Sequence, residues 1–575
     1  MRIKTCLRWR HSEAPVVRRL IGPIALLRYR IWSSSIRSPV AGYPGIDYII
    51  LYNAAVHVWG MKVSDYLCDY LLARGIDTIF CVTGGTLAHI LNSIKQRPEI
   101  TIYFNYCESG CSMAAEAYQK ASGKVPLVLT TNGPGATNAI TGVVGAFHEC
   151  VPLLVISGQC YANQVLSFVA PDVRSLGAQE LHVLPVVGSF TKYCEQVRDA
   201  HRVAYILDTA LYHMLEGRPG PVWLDFPLDI QAIEIEPLQL LRGPAPYSPS
   251  AYTDPLWYEQ ILTKLRTSKK PLLYIGHGVR GANASAELNR FARLLNVPVA
   301  ATWTAIDILD TDNKKALYIG SPGIMGEPAA CAAFAAADFV LAVGTRLSAS
   351  IAPSSVLHGN ADSWKALVNI DAAELTKPNV NIDLRIACDC KVFLGAFLEA
   401  VGAQRVHRDD EWLHQLQALR RDDQTVKLLE SAANPDGLLV TPHSFVGVLS
   451  DAVRDDTCIV SGCGGLVYTS LHQAFRTERE NVRLLSSSGT SQWPRRLAAR
   501  QSHRSAHVPL VAAAPSAAVL DDDMFTVEHI GLAAVACAMD IGLPGICGAA
   551  VTKRYQHYVL LVDDQAIQRN LQVDL

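Results

Sequence analysis

The sequence contains no apolar run that approaches the ~20 residues of a membrane-spanning helix. A candidate such as residues 332–343 is short and is interrupted by Asp338. An excess of charge of one sign is also absent, since 51 basic and 53 acidic residues give a net charge of −2. This balance leaves no electrostatic footprint for nucleic acid or an anionic membrane surface. We therefore expect no membrane and no nucleic acid among the partners, and a small molecule instead.

Metal-type cysteine pairs are missing as well. The chain has 15 cysteines, but they are scattered, and pairs such as Cys107/Cys111 and Cys388/Cys390 lack the two-residue spacing of a zinc knuckle. We interpret them as reduced and mostly buried thiols. Charged residues make up only 18% of the chain and hydrophobic residues 50%, which is typical of a compact enzyme.

The first 60 residues differ in composition from the rest. Many basic residues lie between Arg2 and Arg37, and the same stretch contains one acidic residue, Glu13, and a serine run, Ser33 to Ser35. This composition is typical of a transit peptide and predicts a mitochondrial protein. The alternative is that the protein starts at Met61 and that residues 1–60 are an untranslated or unstructured extension. We favour this alternative, which predicts a cytoplasmic protein.

Helical and strand patterns alternate along most of the chain, and this alternation predicts parallel sheets. At 575 residues the chain is too long for one core. A Pro-rich connector at 237–255 marks one boundary, and a charged helical linker at 405–430 marks another. We predict an α/β protein with three doubly wound parallel-sheet domains. They span residues 61–236, 256–402 and 437–575, and the last is incomplete and irregular after residue 489.

The most informative stretch runs from Cys107 to Asn138. Glu108 opens an Ala-rich helix, an apolar strand follows at 125–129, and the loop Thr131-Asn-Gly-Pro-Gly-Ala-Thr-Asn138 ends it. This order of carboxylate, small-residue helix, strand and G-P-G-x-x-N loop resembles the thiamin-diphosphate-dependent enzymes, and within them the acetolactate synthase large subunits. The resemblance implies a pyrimidine-binding, a central and a diphosphate-binding domain.

The resemblance also implies roles for individual residues. Glu108 would be the catalytic carboxyl that hydrogen-bonds the pyrimidine ring of the cofactor, whereas alone it would be a solvated loop residue. Gln179 and Lys192 fall at substrate positions of the family. The residues expected to bind the cofactor are Gly84, Gly85, Gly133, Pro134, Gly135, Asn138, Gln159, Gly462 and Gly464. Each of these glycines, taken alone, fits a simple tight turn almost as well.

The implied cofactors are thiamin diphosphate and Mg²⁺, and FAD is a further candidate in the central domain. Gly276-His277-Gly278 follows a predicted strand there, but such a short glycine turn is more often a plain strand-to-helix connection. The chain lacks the Gly-Asp-Gly and Asn-Asn motif that would hold Mg²⁺ in the third domain. We name Asp522, Asp523 and Asp564 as replacement ligands; the alternative is a solvated acidic turn.

The implied reaction is decarboxylation of a 2-oxo acid, pyruvate first, with transfer of the remaining unit to a second carbonyl, as in branched-chain amino acid biosynthesis. Ala178 stands where acetolactate synthases usually have phenylalanine, so the substrate pair stays open. Simple 2-oxo acid decarboxylation or lyase chemistry is one alternative, and an inactive homologue serving as a binding or regulatory subunit is another. We expect a homodimer or homotetramer, with a small regulatory subunit as an optional partner.

Overall fold

The computed structural model describes residues 60–165, 172–323, 326–347, 362–378, 380–402, 406, 410–422, 442–461, 465–476, 479–485 and 557–561. The transit-peptide prediction lies outside these residues, as do the predictions for Gly462, Gly464, Asp522, Asp523 and Asp564. Within the described residues, no helix is both long enough and apolar enough to cross a membrane.

The first unit is built on a six-stranded sheet with the order β3-β2-β4-β5-β7-β6, and all of its pairings are parallel. A two-stranded antiparallel ribbon, β1 with β8, joins the start and the end of this unit. The strands β1 to β8 are Met61–Lys62, Thr78–Cys81, Thr101–Phe104, Leu127–Thr130, Leu154–Gln159, Tyr193–Gln196, Val222–Pro227 and Glu234–Ile235. The helices α1 to α7 are Val63–Ala73, Ala88–Lys95, Glu108–Ser122, Pro134–His148, Leu184–Val187, Val203–Leu215 and Leu228–Ala232.

Each face of the first sheet has its own apolar core. Ile79 and Leu129 point into a cluster with α1, α2 and α6, whereas Phe80 and Val128 point into a second cluster with α3 and α4. Neighbouring residues of one strand therefore serve opposite faces, as the period of a strand requires. Because both faces are covered by helices, the sheet is doubly wound, as predicted.

The second unit repeats this plan with the strand order β11-β10-β9-β12-β13-β14, again entirely parallel. One large apolar cluster fills it, and Phe291, Phe393 and Phe397 are among its fully buried side chains. The strands β9 to β14 are Pro271–Ile275, Val299–Ala301, Tyr318–Gly320, Phe339–Val343, Trp364–Asn369 and Leu384–Ala387. The helices α8 to α15 are Pro255–Thr267, Gly278–Gly281, Ser285–Leu295, Thr311–Leu317, Pro328–Ala336, Ala372–Leu375, Cys390–Val401 and Glu411–Arg421.

Beyond residue 441 the described residues form a smaller arrangement. Helices α16 (Pro442–Ala452) and α17 (Gly465–Ala474) accompany a three-stranded parallel sheet in the order β16-β15-β17. The strands β15 to β17 are Thr457–Ser461, Arg483–Leu485 and His557–Leu561. The α/β class and two six-stranded parallel sheets are therefore present, and a complete third domain stays a prediction.

Candidate active site

The candidate site lies where the first sheet changes direction. From β2 the chain goes to β3 on one side of the sheet, and from β4 it goes to β5 on the other side, so the carboxyl ends of β2 and β4 form a topological switch point. In open parallel sheets, ligands bind at such crevices because the two following loops diverge. The loop with Gly84 and Gly85 follows β2, and the loop Thr131–Gly133 follows β4. The sequence-predicted cofactor loops therefore meet at this point.

Glu108 and Asn138 form the polar centre of the site. Glu108 is the first residue of α3, and its Oε2 accepts a hydrogen bond of 2.7 Å from Nδ2 of Asn138, near the start of α4. A carboxylate is stabilised in the first turn of a helix by the unpaired backbone N–H groups. Glu108 is half-buried and Asn138 is exposed. A ligand can therefore reach the Glu108 carboxylate from outside this chain.

Close packing of α3 on α4 holds these two residues together. The Ser112 hydroxyl donates to the backbone oxygen of Ala139 at 2.9 Å. Opposite it, Gly142 has no side chain, and an added Cβ would lie 2.3 Å from Ser112 Oγ. Small residues along both helices are therefore what allows Glu108 and Asn138 to approach.

The predicted glycines differ in whether the structure has room for a side chain at their position. An added Cβ at Gly84 would lie 2.1 Å from Thr131 Cγ2, and one at Gly135 would lie 2.3 Å from Thr131 Oγ1. Gly133 has a φ of 56°, and its Cβ would lie 2.1 Å from the backbone oxygen of Gln179. An added Cβ at Gly85 would meet nothing within 4 Å. Gly85 therefore borders open space, whereas the other three let the loops close on one another.

Pro134 is the first residue of α4 and is exposed. Proline suits this position because its fixed φ matches the helix and its missing N–H would have no partner there. Its place beside Gly133 starts α4 immediately after the tight turn. The loop therefore aims the amino end of α4 at the Glu108 side chain.

Gln179 lies at the rim of the site, and its backbone is the part that contacts the cofactor loop. It is exposed with a φ of 56°. The neighbouring Ala178 oxygen accepts a 2.9 Å hydrogen bond from Asn132 Nδ2. The segment in which Ala178 replaces the usual phenylalanine is thus hydrogen-bonded to the loop after β4. The substrate role of Gln179 stays a prediction.

Gln159 ends β5, but its amide turns into the sheet. Its Nε2 donates to Asp225 Oδ2 and to the Leu181 oxygen, both at 3.2 Å, and its Oε1 accepts from the Cys160 N–H. Asp225 also accepts from Ser157 at 2.6 Å. Burial raises the pKa of Asp225 to about 6, although these donors lower it. The side chain of Gln159 therefore belongs to a buried polar network, and its predicted cofactor contact remains untested.

Lys192 is not brought to the other site residues. It precedes β6, so it lies at the amino-terminal edge of the sheet, whereas the cofactor loops leave the carboxyl-terminal edge. Its Nζ donates to the backbone oxygen of Glu216, and burial lowers its pKa. The nearby end of α4 carries Phe147, which shares with Lys192 the space beside Gly220.

Two segments of the chain match known domain families. The profile described as "Thiamine pyrophosphate enzyme, N-terminal TPP binding domain" matches residues 61–180, and the profile for the central domain of the same enzymes matches residues 258–397. Both segments are thiamine pyrophosphate enzyme domains. Thiamin diphosphate is accordingly the cofactor that these domains imply. The first match contains Glu108, Asn138 and the glycine loops after β2 and β4.

Several curated relatives are acetolactate synthases. The chain is 29% identical over 407 residues to the acetolactate synthase large subunit of Lactococcus lactis subsp. lactis (strain IL1403), covering 70% of this chain and 66% of that protein. It is 32% identical over 341 residues to the acetolactate synthase of Arthrospira platensis, covering 58% of this chain and 57% of that protein. The chloroplastic acetolactate synthase of Arabidopsis thaliana is 32% identical over 336 residues, 57% of this chain and 48% of that protein. The chain is homologous to these large subunits and matches about half to two thirds of their length.

The thiamine pyrophosphate central domain has its own switch point, between β9 and β12. Gly276 and Gly278 follow β9, and Gly344, with a φ of 65°, follows β12. An added Cβ at Gly276 would lie 2.3 Å from the Gly344 oxygen. The three glycines thus allow two loops to pack backbone against backbone, which supports the plain connection that sequence analysis favoured. FAD stays a prediction.

No cluster of three or more potential metal-ligating His, Cys, Asp or Glu side chains occurs among the described residues. The residues named for Mg²⁺ lie outside them. Sequence analysis did not predict a role for Thr131. Its side chain fills the space that a Cβ on Gly84 or Gly135 would need, and so it shapes both loops of the thiamine pyrophosphate domain. Its position between a buried strand and a glycine loop was the available signal.

Proposed function

We propose that this protein is a thiamin-diphosphate-dependent enzyme that decarboxylates a 2-oxo acid, with pyruvate as first choice, and joins the remaining unit to a second carbonyl. The observation that carries the proposal is the Glu108–Asn138 pair at the switch point of a thiamine pyrophosphate domain. The curated relatives that match over 57% to 66% of their length carry the name acetolactate synthase. That shared name supports carboligation.

The site residues fit the pyrimidine end of the cofactor. When bound, thiamin diphosphate supplies an acidic thiazolium carbon that adds to a carbonyl and accepts the electron pair left by carbon dioxide. Glu108 would hydrogen-bond the pyrimidine ring and hold or release a proton there. Asn138 would orient the Glu108 carboxylate through its 2.7 Å hydrogen bond, and Gly85 leaves space for a flat ring beside it.

We further propose that a second copy of the chain completes the site. Glu108 is preceded by Phe104 and Tyr106, whose side chains are 59% and 64% exposed. Leu181 and Val186 are also more than a third exposed in this first unit. Large apolar side chains that are exposed next to a polar site, as Phe104 and Tyr106 are, are typical of a protein interface. A homodimer would cover them and exclude water from the Glu108 carboxylate.

The decisive experiment is calorimetric titration of the full chain with thiamin diphosphate plus Mg²⁺, followed by a pyruvate assay. We expect micromolar binding that EDTA abolishes. Glu108→Gln should reduce turnover by at least ~10³-fold, because the general acid–base group is lost, while the circular dichroism spectrum stays unchanged. The exposed Glu99→Gln is the matched control and should keep full activity.

The sequence itself favours a second candidate, an inactive homologue that binds a partner subunit, because the chain lacks the Gly-Asp-Gly and Asn-Asn motif. Absence of cofactor binding together with formation of a heteromer would replace the enzyme proposal by this one. Cofactor binding with release of carbon dioxide but without a carboligation product would instead indicate a simple decarboxylase, for which the exposed Ala178 in place of phenylalanine offers a reason.

A further inference from the structure

A second cavity lies away from the switch point of the first sheet. It has a volume of about 620 Å³, is open to solvent on one side, and is lined by helices α11, α15 and α17 and by the strand β16. Small-molecule sites usually occupy ~300 to 1,000 Å³. The cavity therefore has the size of a ligand site, and its walls come from both the central domain and the segment beyond residue 441.

Positive charge dominates the wall of this basic cavity. Its cationic side chains are Lys314, Lys315, Arg420, Arg421 and Arg476. They come from three separate helices or the residues just after them, so only the folded chain brings them together. Such a concentration of cations around a concave surface focuses a field that attracts anions.

The two carboxylates on the wall are already paired. Glu327 is 3% exposed, and its Oε2 accepts from Arg420 Nε at 3.1 Å and from Arg476 Nη2 at 2.6 Å. Asp307 is held by Arg280 and Arg483, which do not line the cavity. Each carboxylate is therefore neutralised by two guanidinium groups. Lys314, Lys315 and Arg421 add further positive charge to the wall, although Asp307 and Asp310 also attract the Lys314 ammonium group.

Lys314 and the apolar part of the wall offer a ligand two different kinds of contact. Lys314 is half-buried, and burial lowers its pKa, which means that its ammonium group lacks full hydration. An anion beside it would offset that cost. Other parts of the wall are apolar or aromatic, with Ile306, Leu484 and Phe475.

We propose that the basic cavity binds a phosphate-bearing small molecule of nucleotide size, with the phosphates at Lys314 and Arg421 and the apolar end against Ile306 and Leu484. Planar guanidinium and ammonium groups are the usual ligands of phosphate oxygens. The proposal is independent of the proposed reaction. It adds a binding site in which the ligand joins α11 and α15 of the central domain to α17.

The test is titration of the full chain with ADP, inorganic pyrophosphate and adenosine in the absence of thiamin diphosphate, which is itself a phosphate-bearing molecule of this size. A cavity variant distinguishes binding in the cavity from binding at the first site. The variant Lys314→Gln/Arg421→Gln removes two cations that do not belong to the Glu327 and Asp307 ion pairs. The control variant Arg266→Gln/Lys269→Gln makes the same charge change at exposed positions outside the cavity.

We expect ADP to bind, and we expect the cavity variant to weaken binding at least ~10-fold, about 1.4 kcal/mol, with no change in the control variant. Pyrophosphate binding that the cavity variant weakens equally, with no gain for ADP, would keep the anion site and overturn the apolar end. Absence of binding by both phosphates, or equal weakening in both variants, would overturn the proposal. Strong adenosine binding that the cavity variant leaves unchanged would also overturn it.

Discussion

Gly135 shows how one missing side chain sets the candidate site. The space where its Cβ would lie is bordered by Thr131 Oγ1 at 2.3 Å and by Glu108 Oε1 at 3.3 Å. Contacts as short as the first one force neighbouring atoms to move. The absence of a side chain at this position therefore keeps both the loop and the Glu108 carboxylate in place.

Gly135→Ala should weaken thiamin diphosphate binding, because the methyl group would displace Thr131 and push Glu108 away from Asn138. We expect at least a ~10-fold loss of affinity, since overpacking costs ~1 to 3 kcal/mol. Titration calorimetry measures it. Gly395→Ala is the matched control: it lies within α14 with nothing within 4 Å of the added Cβ, so it should bind normally and gain up to ~1 kcal/mol of stability. Unchanged affinity in Gly135→Ala would refute this account of the loop.

Asp225 predicts a pH dependence of stability. Its folded-state pKa is raised by burial to about 6 from an ordinary 3.8. As pH rises, the unfolded state therefore loses this proton at a lower pH than the folded state does. The free energy of unfolding consequently falls by up to ~3 kcal/mol between about pH 4 and 6. The unfolding free energy of the unchanged protein should fall relative to that of Asp225→Asn as pH rises across that window. Above about pH 6 the difference between the two should stay constant. Urea titrations from pH 4 to 7 check this, and a flat difference would contradict it.

Individual site residues were predictable only where a local motif fixes the backbone. The positions of Glu108 and Asn138 were predictable because the helix and the G-P-G loop place them near the starts of two helices that pack together, and their roles stay predictions. Gln159 and Lys192 depend on which way a side chain turns and on which edge of the sheet a loop leaves. These are tertiary facts, and the buried partners of Gln159 lie 22 and 66 residues away in the chain.

At the scale of elements, buried strands were read more accurately than helix ends. The apolar runs at 271–275 and 339–343, each bounded by turn residues, are strands by their sequence pattern and form β9 and β12 in the structure, because continuous apolar runs bounded by turns have few alternatives. Serine is a common helix cap, and on that basis Ser64 would precede the first helix, but it lies inside α1, buried, and accepts a 2.9 Å hydrogen bond from Ser93. The helix begins two residues earlier than a cap at Ser64 would require, because β1 pairs with β8 and leads the chain directly into α1.

Asp307 connects the central domain to β16. Burial alone would raise its pKa, but Arg280 and Arg483 hold the pKa well below its ordinary value. Asp307→Asn should destabilise the protein by ~3 to 5 kcal/mol at neutral pH, because two largely buried guanidinium groups lose their counter-charge. Chemical denaturation measures the effect. Arg293→Gln breaks the exposed pair with Asp310 and should cost at most ~1 kcal/mol; a similar loss in both variants would contradict the account.

At the scale of the whole molecule, the exposed apolar edge beside Glu108 predicts self-association. Tyr106→Lys should shift the protein toward the monomer and weaken cofactor binding at the same time, because a desolvated charge would lie in the interface. Sedimentation velocity and calorimetry measure the two effects. Tyr252→Lys, at a tyrosine that is 69% exposed in the connector, is the matched control. A dimer that survives Tyr106→Lys with full affinity would place the interface elsewhere.

Helix α4 separates Asn138 from the end where Phe147 and Lys192 meet. Nine residues of helix span about 14 Å, which is more than a three-carbon acid bridges. If both predicted roles hold, the Glu108 and the Lys192 of one chain serve different substrate molecules. Each reaction centre then draws on two chains, a dimer contains two centres, and an isolated chain contains none. Dilution would therefore remove catalysis without unfolding a single residue.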